Sequence, residues 1–403
     1  MAEIVLLNIS GEDKPGLTAS ITGILANHNV NVLDIGQAVI HNTLSLGILI
    51  EIPKESESSP LLKDVLLDAH TLGVSVKFTP IPEEQYTLWV EEQGKIRNIV
   101  TVLSDKITAN QLSRISAIIA ENGLNIDNIT RISGRIPVDI SPQSNTSCVE
   151  FSFRGTAKDP EFMRQRLLMT AKELGVDIAL QKDDIYRSNR RLVAFDMDST
   201  LIEIEIIDEL AAAANVKTQV AEITERAMAG EMDFSESLKQ RVSLLKGLDA
   251  SALEDLAQNL PLTEGAETLI KTLKKLSLAT AIISGGFNYF GNHLKQRLGI
   301  DYVYANELEI IDGKVTGRVV GDIVDGQRKA DLLEHTAARE NISLQQVIAV
   351  GDGANDVPML GRAGLGIAFR AKPIVQENVD QSISARGLDG ILYLIGYRDW
   401  YAL

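Results

Sequence analysis

Two carboxylates separated by one residue, Asp196 and Asp198, follow directly on the apolar run Leu192-Val193-Ala194-Phe195 and precede the hydroxyls of Ser199 and Thr200. Four apolar residues are too few for a helix and suit a buried strand. The period-two geometry of a strand sends both acids out on one side. At ~4 Å two such charges repel by roughly 4 kcal/mol in a medium of effective dielectric about 20, so something positive is expected between them. The residue types leave two choices: a hard divalent cation with oxygen ligands, or a proton shared because one acid works as general acid and base. An EF-hand is excluded, because its sixth and twelfth positions would be Leu201 and Ile207 instead of Gly and Glu.

Three more groups belong to the same chemistry. Ser284-Gly285-Gly286 follows the mainly apolar strand Ala279 to Ile283; glycines let backbone N–H groups approach a phosphate, and the serine hydroxyl adds a donor. Gly351-Asp352-Gly353-Ala354-Asn355-Asp356 follows Val347 to Val350 and brings two further acids, and Lys329 lies between these groups. Taken singly, the Asp pair reads as a solvated loop, Ser-Gly-Gly as a turn, Lys329 as a surface lysine, and Asp352 and Asp356 as helix caps. Their succession at three strand ends is what points to a single site.

Those strands must lie side by side for the groups to meet. Three apolar strands, each ending in a polar cluster, imply an open parallel sheet whose C-terminal strand ends line a common crevice, the usual ligand position in such sheets. The stretch from Glu205 to about Leu260 is rich in Ala, Glu, Leu and Lys and is closed by Pro261. It reads as a helical cap over that crevice, able to exclude water. Around it are expected a helix from about Glu264 to Leu276, a hairpin turning at Asp312-Gly313 and a helix beginning near Lys329.

The N-terminal half reads as a repeat. Strand Ile4 to Ile9, helix Leu17 to His28, strands Asn31 to Ile40 and Leu44 to Ile52, helix Leu61 to Thr71 and strand Val74 to Phe78 give a βαββαβ order, with a Ser/Pro-rich stretch at Glu55 to Pro60. The order returns in strand Ile99 to Leu103, helix Ala109 to Asn122, strands Leu124 to Ile132 and Cys148 to Phe153, helix Pro160 to Leu174 and strand Val176 to Leu180. Asp13-Lys14 matches Asp105-Lys106, and Ala26 to Val32 matches Ala120 to Ile126. Tyr86 to Glu91 reads as a linking strand, and the polar run Gln181 to Arg190 as a boundary.

Bulk properties narrow the function. The chain has 403 residues, 45% of them hydrophobic, enough for two or three domains. Its net charge of −16 argues against a nucleic-acid or anionic-membrane surface. The single cysteine, Cys148, rules out an intramolecular disulfide and a cysteine metal cage, as suits a reducing compartment. The opening Met1-Ala2-Glu3 lacks the basic stretch of an export signal, and no run of ~18 apolar residues occurs. Neither export nor membrane spanning is expected.

Asp196-Met197-Asp198-Ser199-Thr200, Ser284, Lys329 and Gly351 to Asp356 together resemble the motifs of the haloacid dehalogenase superfamily of phosphotransferases, over about the last half of the chain. Glu205, Met228, Phe234, Arg241-Val242-Ser243-Leu244-Leu245 and Ser284-Gly285-Gly286-Phe287 are similar to the signatures of its phosphoserine phosphatase family. The N-terminal repeat resembles a tandem pair of ACT domains, small modules that bind amino acids. Asp13-Lys14-Pro15-Gly16-Leu17 fits their motif, whereas Ile107-Thr108-Ala109 departs from it.

The resemblance implies an α/β fold: a Rossmann-like haloacid dehalogenase domain with a helical cap at about 205–260, preceded by two βαββαβ (ferredoxin-like) domains. The expected domains are 1–82, 83–184 and 185–403. It also implies roles. Asp196 is the nucleophile and Asp198 the general acid and base. Mg²⁺ is held by Asp196, Asp352 and the Asp198 carbonyl, with Asp356 orienting the metal site from behind. Ser284, Gly286 and Lys329 neutralise the phosphoryl group, and Gly285 and Asn355 also belong to the substrate site. Glu205 pairs with the ammonium of O-phospho-L-serine and Arg241 with its carboxylate, while Met228 and Phe234 close over it. A cytoplasmic homodimer is expected, with L-serine as product and as effector at Asp13 and Gly16. Two other functions stay open here, a phosphatase for another small phosphomonoester such as phosphothreonine and an amino-acid sensor.

Overall fold

Alternating burial along Glu3–Glu12 puts Val5, Leu7 and Ile9 on one side of a strand and leaves Asn8 and Ser10 outside. In the computed structural model, which describes residues 3–53, 58–135, 146–379 and 381–399, this strand is β1 and opens a compact unit of residues 1–95. It is followed by α1 (Leu17–Asn27), β2 (Asn31–Ile40), β3 (Thr43–Ile52), α2 (Ser58–Leu72) and β4 (Ser75–Ile81). The antiparallel sheet has the order β2-β3-β1-β4. Its core joins Val5, Leu7 and Ile9 to Ile21 and Leu25 of α1 and Val65 of α2. Glu55 to Glu57 of the expected Ser/Pro-rich stretch lie outside the described residues.

Tyr86 to Glu91 is helical, part of α3 (Glu83–Gln93), and not the linking strand expected. The alternation of Tyr86, Leu88 and Val90 suggested a strand. Pro82 with Glu83 and Glu84 behind it starts a helix instead. Tyr86 and Trp89 then meet at i,i+3, with ring centroids 5.9 Å apart.

The second unit, residues 96–403, begins with the second copy of the repeat: β5 (Arg97–Ser104), α4 (Ala109–Glu121), β6 (Ile126–Arg131), β7 (Ser147–Arg154), α5 (Pro160–Leu174) and β8 (Asp177–Lys182). Its sheet order, β6-β7-β5-β8, reproduces that of the first copy. Thr108 and Gln111 form a reciprocal capping box at the start of α4, while Asp159 and Pro160 start α5 and Gly175 ends it.

The rest of this unit is a sheet of order β12-β11-β10-β9-β13-β14-β15. At its centre is β9 (Leu192–Phe195), all four residues buried. The helices α6 (Ile206–Ala213), α7 (Lys217–Met228), α8 (Phe234–Leu244) and α9 (Ala250–Gln258) form the insertion after it. The chain continues through α10 (Ala266–Lys275), β10 (Ala279–Phe287), α11 (Asn288–Leu298), β11 (Tyr302–Ile311), β12 (Lys314–Val320) and α12 (Gly326–Arg339). It then passes through β13 (Val347–Gly351), α13 (Val357–Arg362), β14 (Leu365–Phe369), α14 (Pro373–Glu377), β15 (Gln381–Ile383) and α15 (Ile391–Leu394). Neighbouring strands are parallel except β12, which turns back on β11 at Asp312-Gly313. That hairpin also supports the insertion: Gly247 N–H donates to the Val315 carbonyl and Ala250 N–H to the Gly313 carbonyl, each at 2.8 Å.

The second copy of the repeat is built into this unit. The Gln381 side chain pairs with both backbone groups of Leu180, accepting from its N–H at 3.0 Å and donating to its carbonyl at 2.5 Å. The Asp177 carboxylate accepts from the N–H groups of Ser384 and Ala385 at 2.6 and 3.0 Å. Leu103, Ile132, Cys148 and Ala179 lie in the same buried cluster as Ile383, Leu388 and Ile391.

Candidate active site

Strand register brings the functional groups level. Phe195, the last residue of β9, lies opposite Ile282 of β10 on one side and Val350 of β13 on the other. Asp196, Ser284 and Asp352 therefore leave the sheet at one edge. Asp196 is fixed by its own main chain: its N–H donates to the Val350 carbonyl at 2.8 Å, and its Oδ1 accepts from Met197 N–H at 2.7 Å. Its Oδ2 faces Lys329 Nζ at 2.7 Å.

Lys329 belongs to the start of α12, which begins at Gly326, earlier than expected, because Asp325 caps it by accepting from Arg328 N–H at 2.8 Å. The Lys329 side chain is wholly buried, and its second partner is Asp356 Oδ1 at 2.7 Å. Asp356 is held from its other oxygen by Gly353 N–H at 3.0 Å. Gly351 has to be glycine, since a Cβ there would stand 2.4 Å from Asp356 Cγ.

Carboxylate oxygens of Asp196, Asp352 and Asp356 lie within 4.8 Å of one another. Thr200 donates its hydroxyl to Asp352 Oδ1 at 3.1 Å. Burial, and then the charges of Asp196 and Asp356, push the Asp352 carboxyl up to about 7. Burial and Asp196 likewise push Asp356 up to about 6, against the pull of Lys329. Burial by itself would lower the Lys329 pKa, but the two carboxylates outweigh it and hold the ammonium charged. One lysine does not neutralise three converging acids. An all-oxygen set this close, carrying excess negative charge, fits a metal ion, and the hard donors favour a hard divalent cation.

Asp198 stands apart from that cluster. Its carboxyl is buried with no hydrogen-bond partner on Oδ1. Burial, then the charges of Glu205 and Asp196, raise its pKa well above the usual carboxylate range. An acid whose pKa is raised can give a proton to a leaving group. Its Oδ2 lies 3.0 Å from where a Cβ on Gly286 would stand, and Gly286 N–H donates to Ser284 Oγ at 3.0 Å. Asn306 Nδ2 donates to the Gly285 carbonyl at 2.7 Å, and its Oδ1 accepts from Val324 N–H at 2.9 Å. Sequence reasoning passed over this buried clamp, although a polar residue inside β11 was its signal. The hydrogen bond of Thr200 to Asp352 had no signal in the sequence.

The insertion lies over these strand ends at one defined point. A Cβ on Gly285 would meet the Phe234 ring at 2.7 Å. Glu205 accepts from Ser199 Oγ at 2.6 Å. Arg241 is largely buried, which lowers its pKa, while Asp208, Glu205 and Asp198 are near enough to counter that effect. Asn355 packs beside Gly353 and Gly326 at the edge of the acid cluster. Met228 is different: its side chain is 64% exposed, and its sulfur accepts from Lys372 Nζ at 3.3 Å. Asp13 and Gly16 belong to the other compact unit, where Gly16 starts α1 with φ 92° and a Cβ would meet nothing within 4 Å.

Comparison with known proteins agrees with this architecture. Residues 190–364 match the haloacid dehalogenase-like hydrolase family, and residues 3–79 and 97–181 each match an ACT domain. The chain is 41% identical to the phosphoserine phosphatase of Streptomyces coelicolor, over 97% of this chain and 92% of that protein. It is 40% identical to phosphoserine phosphatase SerB2 of Mycobacterium tuberculosis, over 97% and 93%. Among solved structures, a haloacid dehalogenase family hydrolase of Salmonella enterica serovar Typhi aligns with TM-score 0.64 at 32% identity, covering 74% of this chain and 98% of that one. A probable phosphoserine phosphatase of Vibrio cholerae aligns at 0.60 and 33%, covering 74% and 86%. Among the described residues no helix is long and apolar enough to cross a membrane. The chain belongs to the phosphoserine phosphatase family of haloacid dehalogenase-like hydrolases, with two ACT domains ahead of the hydrolase domain.

Proposed function

We propose that this chain hydrolyses O-phospho-L-serine to L-serine and phosphate through an aspartyl-phosphate on Asp196, the last step of serine biosynthesis. One observation carries the reading: a nucleophile-capable carboxylate fixed by main chain and Lys329, beside an acid whose unpartnered, buried Oδ1 and raised pKa suit it to carry a proton, under a cap bearing Glu205 and Arg241. An Asp196 carboxylate oxygen attacks phosphorus as the bond to the serine oxygen breaks, and Asp198 gives that oxygen its proton. Water then attacks the same phosphorus and loses a proton to Asp198, the bond to Asp196 breaks, and phosphate leaves. Lys329, Ser284 and the N–H groups at Gly285 and Gly286 neutralise the transferring group, with Asn355 beside them.

Asp196 and Asp352, with the Asp198 carbonyl, would hold Mg²⁺, and Asp356 would orient their oxygens. When bound, the ion supplies electrostatic stabilisation of the phosphoryl oxygens. Phosphoserine carries an ammonium and a carboxylate besides its phosphate, so a selective pocket needs one acid and one fork-shaped base. Glu205 and Arg241 fill those roles. The enzyme works in the cytoplasm as a homodimer, and L-serine acts back on it through the Asp13 to Gly16 turn. The test is phosphate release over a panel of phosphomonoesters, including phosphothreonine, with and without a chelator. Phosphoserine should be turned over fastest, and activity should vanish with chelator and return with Mg²⁺. A preference for another ester, or activity indifferent to chelator, would overturn the reading.

A further inference from the structure

Ser199 stands next to the acid Asp198, yet no step above uses its hydroxyl. It adopts φ 55° and ψ 5°, a left-handed conformation that residues other than glycine, asparagine and aspartate seldom take. From there its hydroxyl donates to Glu205 Oε1 at 2.6 Å, and its N–H donates to the Ile204 carbonyl at 3.2 Å. The loop thus closes on the residue just before the acid it holds. Glu205 occupies the N-cap position of α6 but makes no capping bond to that helix. Its carboxylate turns back across the loop to Ser199.

The left-handed serine is locally unfavourable, and it serves the orientation of the Glu205 carboxylate. Glu205 lies near enough to Arg241 for the two charges to interact, so a Glu205 freed from Ser199 can turn to that guanidinium. That would remove the acid from the crevice and occupy the group meant for a substrate carboxylate.

We propose that Ser199 is a positioning residue for substrate selectivity, holding Glu205 ready for a primary ammonium and apart from Arg241 before substrate arrives. This rests on the reading of Glu205 as the ammonium partner. The experiment uses the full chain and compares kcat/KM for O-phospho-L-serine with that for an aryl phosphate, which has no ammonium. Ser199→Gly accepts the left-handed backbone and removes the hydroxyl together with the Cβ that carries it. Ser199→Asn also tolerates that backbone and offers an amide N–H to Glu205.

Ser199→Gly should lower the ratio of the two kcat/KM values about tenfold, as suits a lost hydrogen bond to a charged group, with the loss in KM more than in kcat. Ser199→Asn should restore part of it. Glu205→Gln is the reference and should lower the ratio at least as far. If Glu205→Gln lowers the ratio and Ser199→Gly does not, Ser199 has no positioning role. Equal losses on both substrates, or Ser199→Asn behaving like Ser199→Gly, would mean that the loop shape matters and the bond to Glu205 does not. An unchanged ratio in Glu205→Gln would instead bring down the ammonium reading itself.

Discussion

The strand ends and the cap face one crevice but are held in different ways. At the strand ends Asp196, Lys329 and Asp356 are buried, and each is pinned by main chain or by a buried opposite charge at 3.0 Å or less. In the cap, Phe234 is half-buried, Met228 is exposed, and Arg241 donates through Nε to the Ser237 carbonyl of its own helix at 3.4 Å. Groups fixed in advance cost no reorganisation when charge develops, so the strand ends suit the chemistry common to all phosphomonoesters. The cap is less firmly held, and a less rigid wall suits recognition of what is attached to the phosphate. Changes at the strand ends should lower turnover of every substrate alike, and changes in the cap should depend on the substrate.

The strongest attempt to break that division is Asp196→Asn, since an amide cannot serve as the nucleophile. Turnover of phosphoserine and of an aryl phosphate should both disappear while the thermal unfolding transition stays cooperative. Near-wild-type hydrolysis of either by a clean preparation would remove Asp196 from the mechanism. Asp198→Asn comes next. Loss of the general acid and base should cost ~10² to 10⁴ in kcat on both substrates, with Mg²⁺ affinity by calorimetry kept. Lost affinity with intact chemistry would reverse the assignment.

Arg241→Ala probes the other side. Losing a charge-assisted clamp on the substrate carboxylate should cost ~2 to 4 kcal/mol in kcat/KM for phosphoserine. The aryl phosphate, which has no carboxylate, should lose far less. Equal losses would mean that Arg241 shapes the cap and clamps nothing, and the division between fixed chemistry and selective cap would fail at its clearest point.

What could be read from the sequence follows the same line. Asp196 and Asp198, Ser284 to Gly286 and Gly351 to Asp356 are contiguous runs, and the mainly apolar stretches before them announce the strands, which the structure buries almost throughout. Contacts between distant residues left little trace. Gln381 and Asp177 join the second ACT domain to the last strand across some two hundred positions, and nothing near either residue marks its partner. Asn306 was visible only as an oddity within a strand. Tyr86 to Glu91 was misread because a short exposed segment alternates as easily by chance as by design, and no buried residue in α3 fixes the period. In the cap, composition indicated helices but could not say which side chain each would turn inward.

Met228 is where that last gap matters most. Resemblance to the family places it over the substrate, whereas the structure leaves it 64% exposed at the end of α7, with its sulfur accepting from Lys372 Nζ at 3.3 Å. An exposed side chain is normally worth no more than ~0.5 kcal/mol, so Met228→Ala should change kcat/KM for phosphoserine by about twofold. Phe234 rests on Gly285 in the same cap, and Phe234→Ala should cost clearly more. Measuring both variants on phosphoserine and on the aryl phosphate separates two states of the cap. If Met228→Ala matches Phe234→Ala on phosphoserine alone, α7 must swing inward during turnover, breaking the Lys372 contact and burying Met228 against the bound amino acid. Lys372→Ala should then ease that swing and lower KM for phosphoserine, with kcat for the aryl phosphate as the control. If Met228→Ala is nearly silent on both, the cap already stands as closed as catalysis requires, and Phe234 alone covers the substrate.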